Sequence, residues 1–194
     1  MTGAPRRRGA ALEEAILRAA ADELAETGYA GLTMDRVAQR AGTNKNALYR
    51  RWPNRAALAV AAYTGMAGGE AALPDTGRLR DDALELLRRA NSTWSAPAGA
   101  VLRGLIAGAA GDPELLALIQ ERSAEGGSAM WLPLLRRAVA RGEIGPGALH
   151  PRAATLAVVL LRNEYVTRGV PEVPDEVLAE IVDEVYLPLL RGRG

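Results

Sequence analysis

Asn44, Lys45, Asn46, Tyr49 and Arg50 lie within seven consecutive positions, and each carries a hydrogen-bonding or charged group at its tip. Asparagine and lysine can pair with adenine and guanine edges in the major groove of DNA, whereas Tyr49, Arg51 and Arg55 suit backbone phosphates. Between Arg36 and Arg55 stand six basic residues and no acidic one. The first 58 residues hold ten basic and six acidic side chains, and the remainder fourteen and seventeen, so the net charge of +1 conceals a basic segment on a mildly acidic chain. Such a segment implies a polyanionic partner or a solvated basic face, and charge alone leaves both open.

Catalytic chemistry finds no comparable cluster. Cysteine is absent and histidine occurs once, as His150 ahead of Pro151, where it reads as a helix-start residue. The acidic pairs Asp81-Asp82 and Asp183-Glu184 are adjacent in sequence and therefore point to different faces of a helix. With no nucleophile, acid–base pair or thiolate or imidazole cluster, the expectation is a protein that is not an enzyme and uses no metal or cofactor. The longest apolar stretches, such as Leu156 to Leu161, are too short to span a bilayer, and no signal-peptide core follows Arg6-Arg7-Arg8. A cytoplasmic protein with no membrane partner is expected.

The elements that position these residues are helices. Hydrophobic residues make up 48% of the 194, but Phe is absent and aromatics are 4%, so Ala, Leu, Val and Ile must build the core. That palette favours helix over strand, and no segment alternates with period two. The fold class expected is all-α. Leu12, Ile16, Ala19, Ala20 and Leu24 recur at helical spacing until Thr27-Gly28 stops the run. Thr33 caps a short helix with Met34, Val37 and Ala38 inside, and Ala41-Gly42 breaks it. Asn44 caps the next, with Ala47, Leu48 and Trp52 inward, and Asn54 caps a fourth running to about Ala67. Two short helices joined by a tight glycine turn, the second polar and basic, have the spacing of a helix-turn-helix. Beyond the loop at 68–77, helices are expected over 78–95, from Pro97, from Asp112-Pro113-Glu114 to about Arg141, over 151–168 and over 175–190. Gly126-Gly127 and Pro133 are expected to kink or break the longest of these.

The segment from Leu32 through Thr33, Val37-Ala38, Ala41-Gly42, Leu48-Tyr49 and Trp52-Pro53 to Leu58 resembles the DNA-binding domain of the tetracycline-repressor (TetR) family. The likeness is close over about residues 11–58. Over 59–194 it rests on helix count and rhythm, although Asp-Pro-Glu-Leu at 112–115 and Ala-Arg-Gly-Glu-Ile at 140–144 look like phrases of actinobacterial members. Asn44 stands where the family usually has Ser, Trp52 where it has Phe, and Arg55 where it has Lys, each keeping the chemistry of the position. The resemblance implies an N-terminal three-helix DNA-binding domain, residues 11–57, behind a disordered basic arm, residues 1–10. A larger C-terminal helical bundle, residues 58–194, would bind an effector and dimerise. DNA contacts are expected from Thr33, Thr43, Asn44, Lys45, Asn46, Tyr49, Arg50 and Arg55, with Arg6 to Arg8 adding phosphate or minor-groove contacts.

The expected partners are double-stranded operator DNA, a small and largely apolar effector, and a second copy of the chain. Dimerisation is expected through the last two helices, about 151–168 and 175–190. Leu156, Val159, Leu160, Asn163 and Val166 form one stripe there, and Val177, Leu178, Ile181, Val182, Val185 and Leu189 the other. Bulky or polar side chains that interrupt apolar helices supply the effector candidates: Trp94, Arg103, Met130, Trp131, Asn163 and Tyr165. The function expected is a homodimeric, ligand-responsive transcriptional regulator that acts as a repressor. The alternative is a helical small-molecule-binding or interaction module without sequence-specific DNA function.

Overall fold

A computed structural model describes residues 9–67 and 72–193, and the side chains of all of these except 123–127. Most of the basic arm, including Arg6 to Arg8, lies outside the described residues. Among those described there is no strand. The helices in chain order are α1 (Ala10–Gly31), α2 (Met34–Arg40), α3 (Lys45–Tyr49), α4 (Arg55–Met66), α5 (Leu79–Ser95) and α6 (Pro97–Gly108). They continue with α7 (Pro113–Ala140), α8 (Pro151–Ala154), α9 (Leu156–Val166), α10 (Asp175–Glu180) and α11 (Leu187–Arg191), the last two joined by a π-helical turn over Ile181–Tyr186. No described helix is long and apolar enough to cross a membrane.

The chain forms two compact units, Met1–Gly69 with Ala100–Ile119, and Glu70–Gly99 with Gln120–Gly194. In the first, α1 packs against α2 and α4. Ile16, Ala20, Leu24, Leu32, Val37, Leu48, Leu58 and Ala59 fill the interior, joined by Val101 and Leu105 of α6 and Leu115 of α7. Gly28 takes a left-handed φ of 66° inside α1, so the stop expected at Thr27-Gly28 is present as a kink followed by one further turn. Tyr29 after that kink lies against Gly108, where an added Cβ would come within 2.6 Å of the ring. Only glycine lets α6 pass so close.

In the second unit, Leu79, Ala83, Leu86, Leu87 and Trp94 of α5 are buried together with Ala157, Leu161 and Tyr165 of α9 and Leu178 of α10. The π-helical turn contributes Ile181, Val182 and Tyr186, and α7 contributes Trp131, Leu134, Leu135 and Ala138. The break expected at Gly126-Gly127 and Pro133 does not occur, and α7 carries Pro133 inside it. Proline in a helix interior costs about 3 kcal/mol, which the buried row beside it offsets at about 1.5–3 kcal/mol for each large apolar side chain. Two other departures have local causes. Thr155 donates its hydroxyl to the Pro151 carbonyl at 3.0 Å, and there the helix expected over 151–168 divides into α8 and α9. Pro188 removes a donor and its ring crowds the preceding turn, so Leu187 N–H reaches back to Val182 and the last helix widens into the π-helical turn.

A polar network ties the segment before α5 to the end of α7. Asp82 is fully buried, and its Oδ1 accepts from the backbone N–H and hydroxyl of Thr76 at 2.7 and 2.8 Å. Arg141 lies 3.6 Å from Oδ2, Arg137 donates to the Pro74 carbonyl at 2.6 Å, and Glu143 accepts from Leu79 N–H at 2.8 Å. Asp82→Ala strands the Thr76 donors and empties a packed site, so it should lower stability by about 2–4 kcal/mol in urea unfolding. A loss below about 0.5 kcal/mol would contradict that role.

Two exposed bidentate pairs join α5 to the C-terminal helices, Arg80 with Asp183 and Arg88 with Asp175. The guanidinium hydrogen bonds hold both carboxyls below their ordinary range. A depressed folded-state value means stability present above the unfolded pKa and lost as pH falls through the folded one. The urea midpoint should therefore change little from about pH 7 to 5 and fall below about pH 4. A midpoint that held steady below that point would contradict the linkage.

Candidate nucleic-acid interface

The helix-turn-helix is built by caps and one glycine. Thr33 Oγ1 accepts from Arg36 N–H at 3.3 Å, and Asn44 Oδ1 accepts from Ala47 N–H at 3.0 Å. Asn54 caps α4 through Ala57 N–H at 2.8 Å. Between α2 and α3, Gly42 has a φ of 66°, and Thr43 N–H donates to the Ala38 carbonyl at 2.9 Å. A side chain at Gly42 would be strained in that conformation. Val37, Ala38, Ala47, Leu48 and Trp52 are all buried, which fixes how α3 crosses α2. That leaves Asn44, Lys45, Asn46, Tyr49 and Arg50 exposed on one short helix and its caps, with Tyr49 50% exposed although its ring is large and apolar. Thr33 is exposed at the start of α2, and Thr43 half-buried in the turn.

The basic run is not bare. Arg36 and Arg40 reach the two oxygens of Glu23 on α1 at 2.7 and 2.9 Å, and Arg40 also grips Glu26. Lys45 pairs with Asp35 at 2.7 Å, and Arg51 with Glu13 at 3.5 Å. Arg55, at the start of α4, lies 4.6 Å over the Tyr29 ring and donates to Asp112 at 3.3 Å. Arg50 is the one cation of the run without a carboxylate partner among the described residues. The uncompensated basic stretch expected from the sequence is therefore largely neutralised by acids from α1, α2 and the start of α7. The Asp35 carboxylate holds the Lys45 ammonium charged to higher pH than an ordinary lysine.

Asp112 is the joint of that last group. Its Oδ1 caps α7 by accepting from Leu115 N–H at 3.1 Å, and its Oδ2 accepts from the Tyr29 hydroxyl at 2.6 Å. Burial, and then that hydrogen bond, push the Tyr29 phenol up to about 12. The Tyr29 and Leu115 donors hold the Asp112 carboxyl below its usual range. Asn54 donates to Glu114 at 2.7 Å, so both residues opening α4 are tied to the first turn of α7. Sequence spacing gave no sign of Asp35, Asp112 or Glu114 as partners of the interface. Asp112 and Glu114 lie 57 and 60 residues from the side chains they hold.

The effector candidates do not form a single group. Trp94 and Tyr165 meet with ring centroids 5.5 Å apart, and the Tyr165 hydroxyl donates to buried Asn91 at 2.6 Å. Trp131 instead packs edge-on against Tyr186 at 5.4 Å. Met130 and Asn163 are exposed, and Arg103 is half-buried and already engaged. An open cleft of about 440 Å³ is lined by Arg88, Asn91, Ser92, Ser95, Glu172, Val173, Pro174, Asp175 and Leu178. Asn91, which accepts from the Tyr165 hydroxyl, is part of that lining, and none of the six candidates is. The lining is mostly polar, so it lends no support to an apolar effector.

On the last two helices the apolar stripes divide. Leu178, Ile181 and Val182 are buried and Leu156, Leu160 and Val177 half-buried, while Val159, Val166, Val185 and Leu189 are between 38% and 44% exposed.

Residues 16–62 match the family described as bacterial regulatory proteins, tetR family, and residues 73–185 match the tetracyclin repressor-like C-terminal domain. An HTH-type transcriptional regulator of Mycobacterium bovis is 34% identical over 175 residues, covering 88% of this chain and 84% of that protein. The DNA-binding transcriptional repressor TetR of Mycobacteroides abscessus is 31% identical over 185 residues, covering 95% and 96%. Among solved structures, the TetR family transcription regulator SCO0332 is similar with a TM-score of 0.69 and 26% identity, over 90% of this chain and 96% of that one.

Proposed function

This chain belongs to the tetR family of bacterial regulatory proteins, and on that premise we propose that it is a homodimeric repressor released from its operator by a small molecule. Its family makes it a DNA-binding transcriptional regulator and not an enzyme. The observation that carries the finer reading is the exposed row Asn44, Lys45, Asn46, Tyr49 and Arg50 above a fully packed inner face. Asn44, Lys45 and Asn46 read base edges, while Thr33, Thr43, Tyr49, Arg50 and Arg55 grip the backbone. For Arg55 this requires exchanging Asp112 for a phosphate.

Dimerisation through α8–α9 and the C-terminal helices is supported by the four apolar side chains left exposed there. Two copies of α3 would then enter successive major grooves, about 34–36 Å apart. The effector is assigned to the helical C-terminal domain, with Trp94 and Tyr165 its foremost contacts among the six candidates. Its binding favours a dimer geometry in which the two α3 helices no longer match that spacing. The protein works in the cytoplasm, where its operator is. Selection of duplexes from a randomised library by the full chain should enrich a two-fold-symmetric sequence, and no enrichment at low salt would overturn the reading. Native mass spectrometry of the purified protein, with and without that duplex, should find a small molecule in the free state only.

A further inference from the structure

We infer that Asp35 is a specificity-determining residue of this interface, its carboxylate steering Lys45 away from backbone phosphate and toward base edges. The inference rests on the reading of α3 as the DNA-facing helix. Five of the six cations between Arg36 and Arg55 are paired, but four of those pairs have evident work in the fold. Arg36 and Arg40 meet Glu23, which is 3% exposed and sits between α1 and α2. Arg51 also donates to the Ala47 carbonyl at 3.3 Å, and Arg55 belongs to the Tyr29–Asp112 group. Lys45 and Asp35 differ, because their side chains are 49% and 69% exposed. Among the described residues neither makes any other ion pair or side-chain hydrogen bond. A pair this exposed contributes little to stability, so its consequence falls on whatever approaches Lys45.

The two classes of approaching acceptor are not equivalent. An ammonium has three donors, so Lys45 can keep Asp35 and still reach the neutral N7 or O6 of a guanine. A phosphate brings a full negative charge beside the carboxylate, well within the screening length. Asp35 therefore penalises phosphate contact by Lys45 more than base contact. It weakens sequence-independent binding, which is built from phosphate contacts, more than specific binding.

The test uses full-length wild type, Asp35→Asn, Lys45→Ala and the double variant. Each is titrated with a random-sequence duplex and with the duplex enriched by wild type, over a range of KCl. Asp35→Asn should bind the random duplex roughly three- to tenfold more tightly, with a salt slope steeper by about two units, one for each copy of the chain. Affinity for the enriched duplex should rise less, so discrimination falls, and Lys45→Ala should remove the gain. Asp35 also sits in the first turn of α2, where an acid favours the helix. Urea midpoints are therefore measured alongside, and Asp35→Gln, a second neutral variant, should behave as Asp35→Asn does. If Lys45→Ala binds both duplexes as wild type does, the reading of α3 itself fails. If Lys45→Ala weakens binding but both neutral variants leave the random-duplex affinity and slope unchanged, the role of Asp35 is overturned. Selective loss of the enriched duplex in those variants overturns it equally, since Asp35 would then be reading a base.

Discussion

Tyr49→Ala and Lys45→Ala should each weaken sequence-specific duplex binding by at least about a hundredfold while leaving the fold intact. Lys45→Ala removes a base contact, which contributes roughly 1–3 kcal/mol to discrimination, Tyr49→Ala removes a backbone grip that positions α3, and a dimer loses two copies of each side chain at once. Both residues are about half-exposed on α3 and neither belongs to the core, so the unfolding free energy from urea titration should stay within about 0.5 kcal/mol of wild type. Leu48→Ala is the informative contrast. Leu48 is fully buried beneath the same helix, and its truncation should cost about 2–5 kcal/mol and weaken binding by unfolding. Electrophoretic or fluorescence titration beside urea melts separates the two cases. Specific binding that survives Tyr49→Ala and Lys45→Ala in a folded protein would remove α3 from the interface.

The second large effect concerns assembly. Val185 and Leu189 are 43% and 38% exposed, and Val159 and Val166 of α9 are 38% and 44% exposed. A Val185→Glu, Leu189→Glu double variant would place two charges in the proposed contact without disturbing a buried side chain. Sedimentation should show the mass halved. Operator affinity should fall by about two to four orders of magnitude, because the second half-site is no longer delivered at high effective concentration. An unchanged mass would exclude this face from the dimer.

The helix starts were legible from single residues. Thr33, Asn44, Asn54 and Asp112 each cap the helix they were expected to cap, because the signal is a local hydrogen bond to an N–H three residues on. The buried face of the helix-turn-helix was equally legible from apolar spacing. Less legible were features decided by packing at a distance. Pro133 reads as a breaker, yet the buried row around it keeps α7 continuous. The π-helical turn follows from Pro188, but its width depends on the helix continuing on both sides. The pairing of Lys45 with Asp35, and of Arg55 with Tyr29 and Asp112, depends on how the chain returns, which no local count of charge reveals. The basic run was therefore visible in the sequence, and its neutralisation was not.

The most direct test of the account is the salt dependence of binding to the duplex enriched by the full-length protein. With Arg50, Arg55, Tyr49 and helix N-termini meeting phosphates from two copies of the chain, log affinity should fall linearly with log salt. For six to ten phosphate contacts the slope should be about −5 to −9, and saturation should come at an even number of chains per duplex. Binding that shows a flat salt dependence, or that saturates at one chain per duplex, would contradict it.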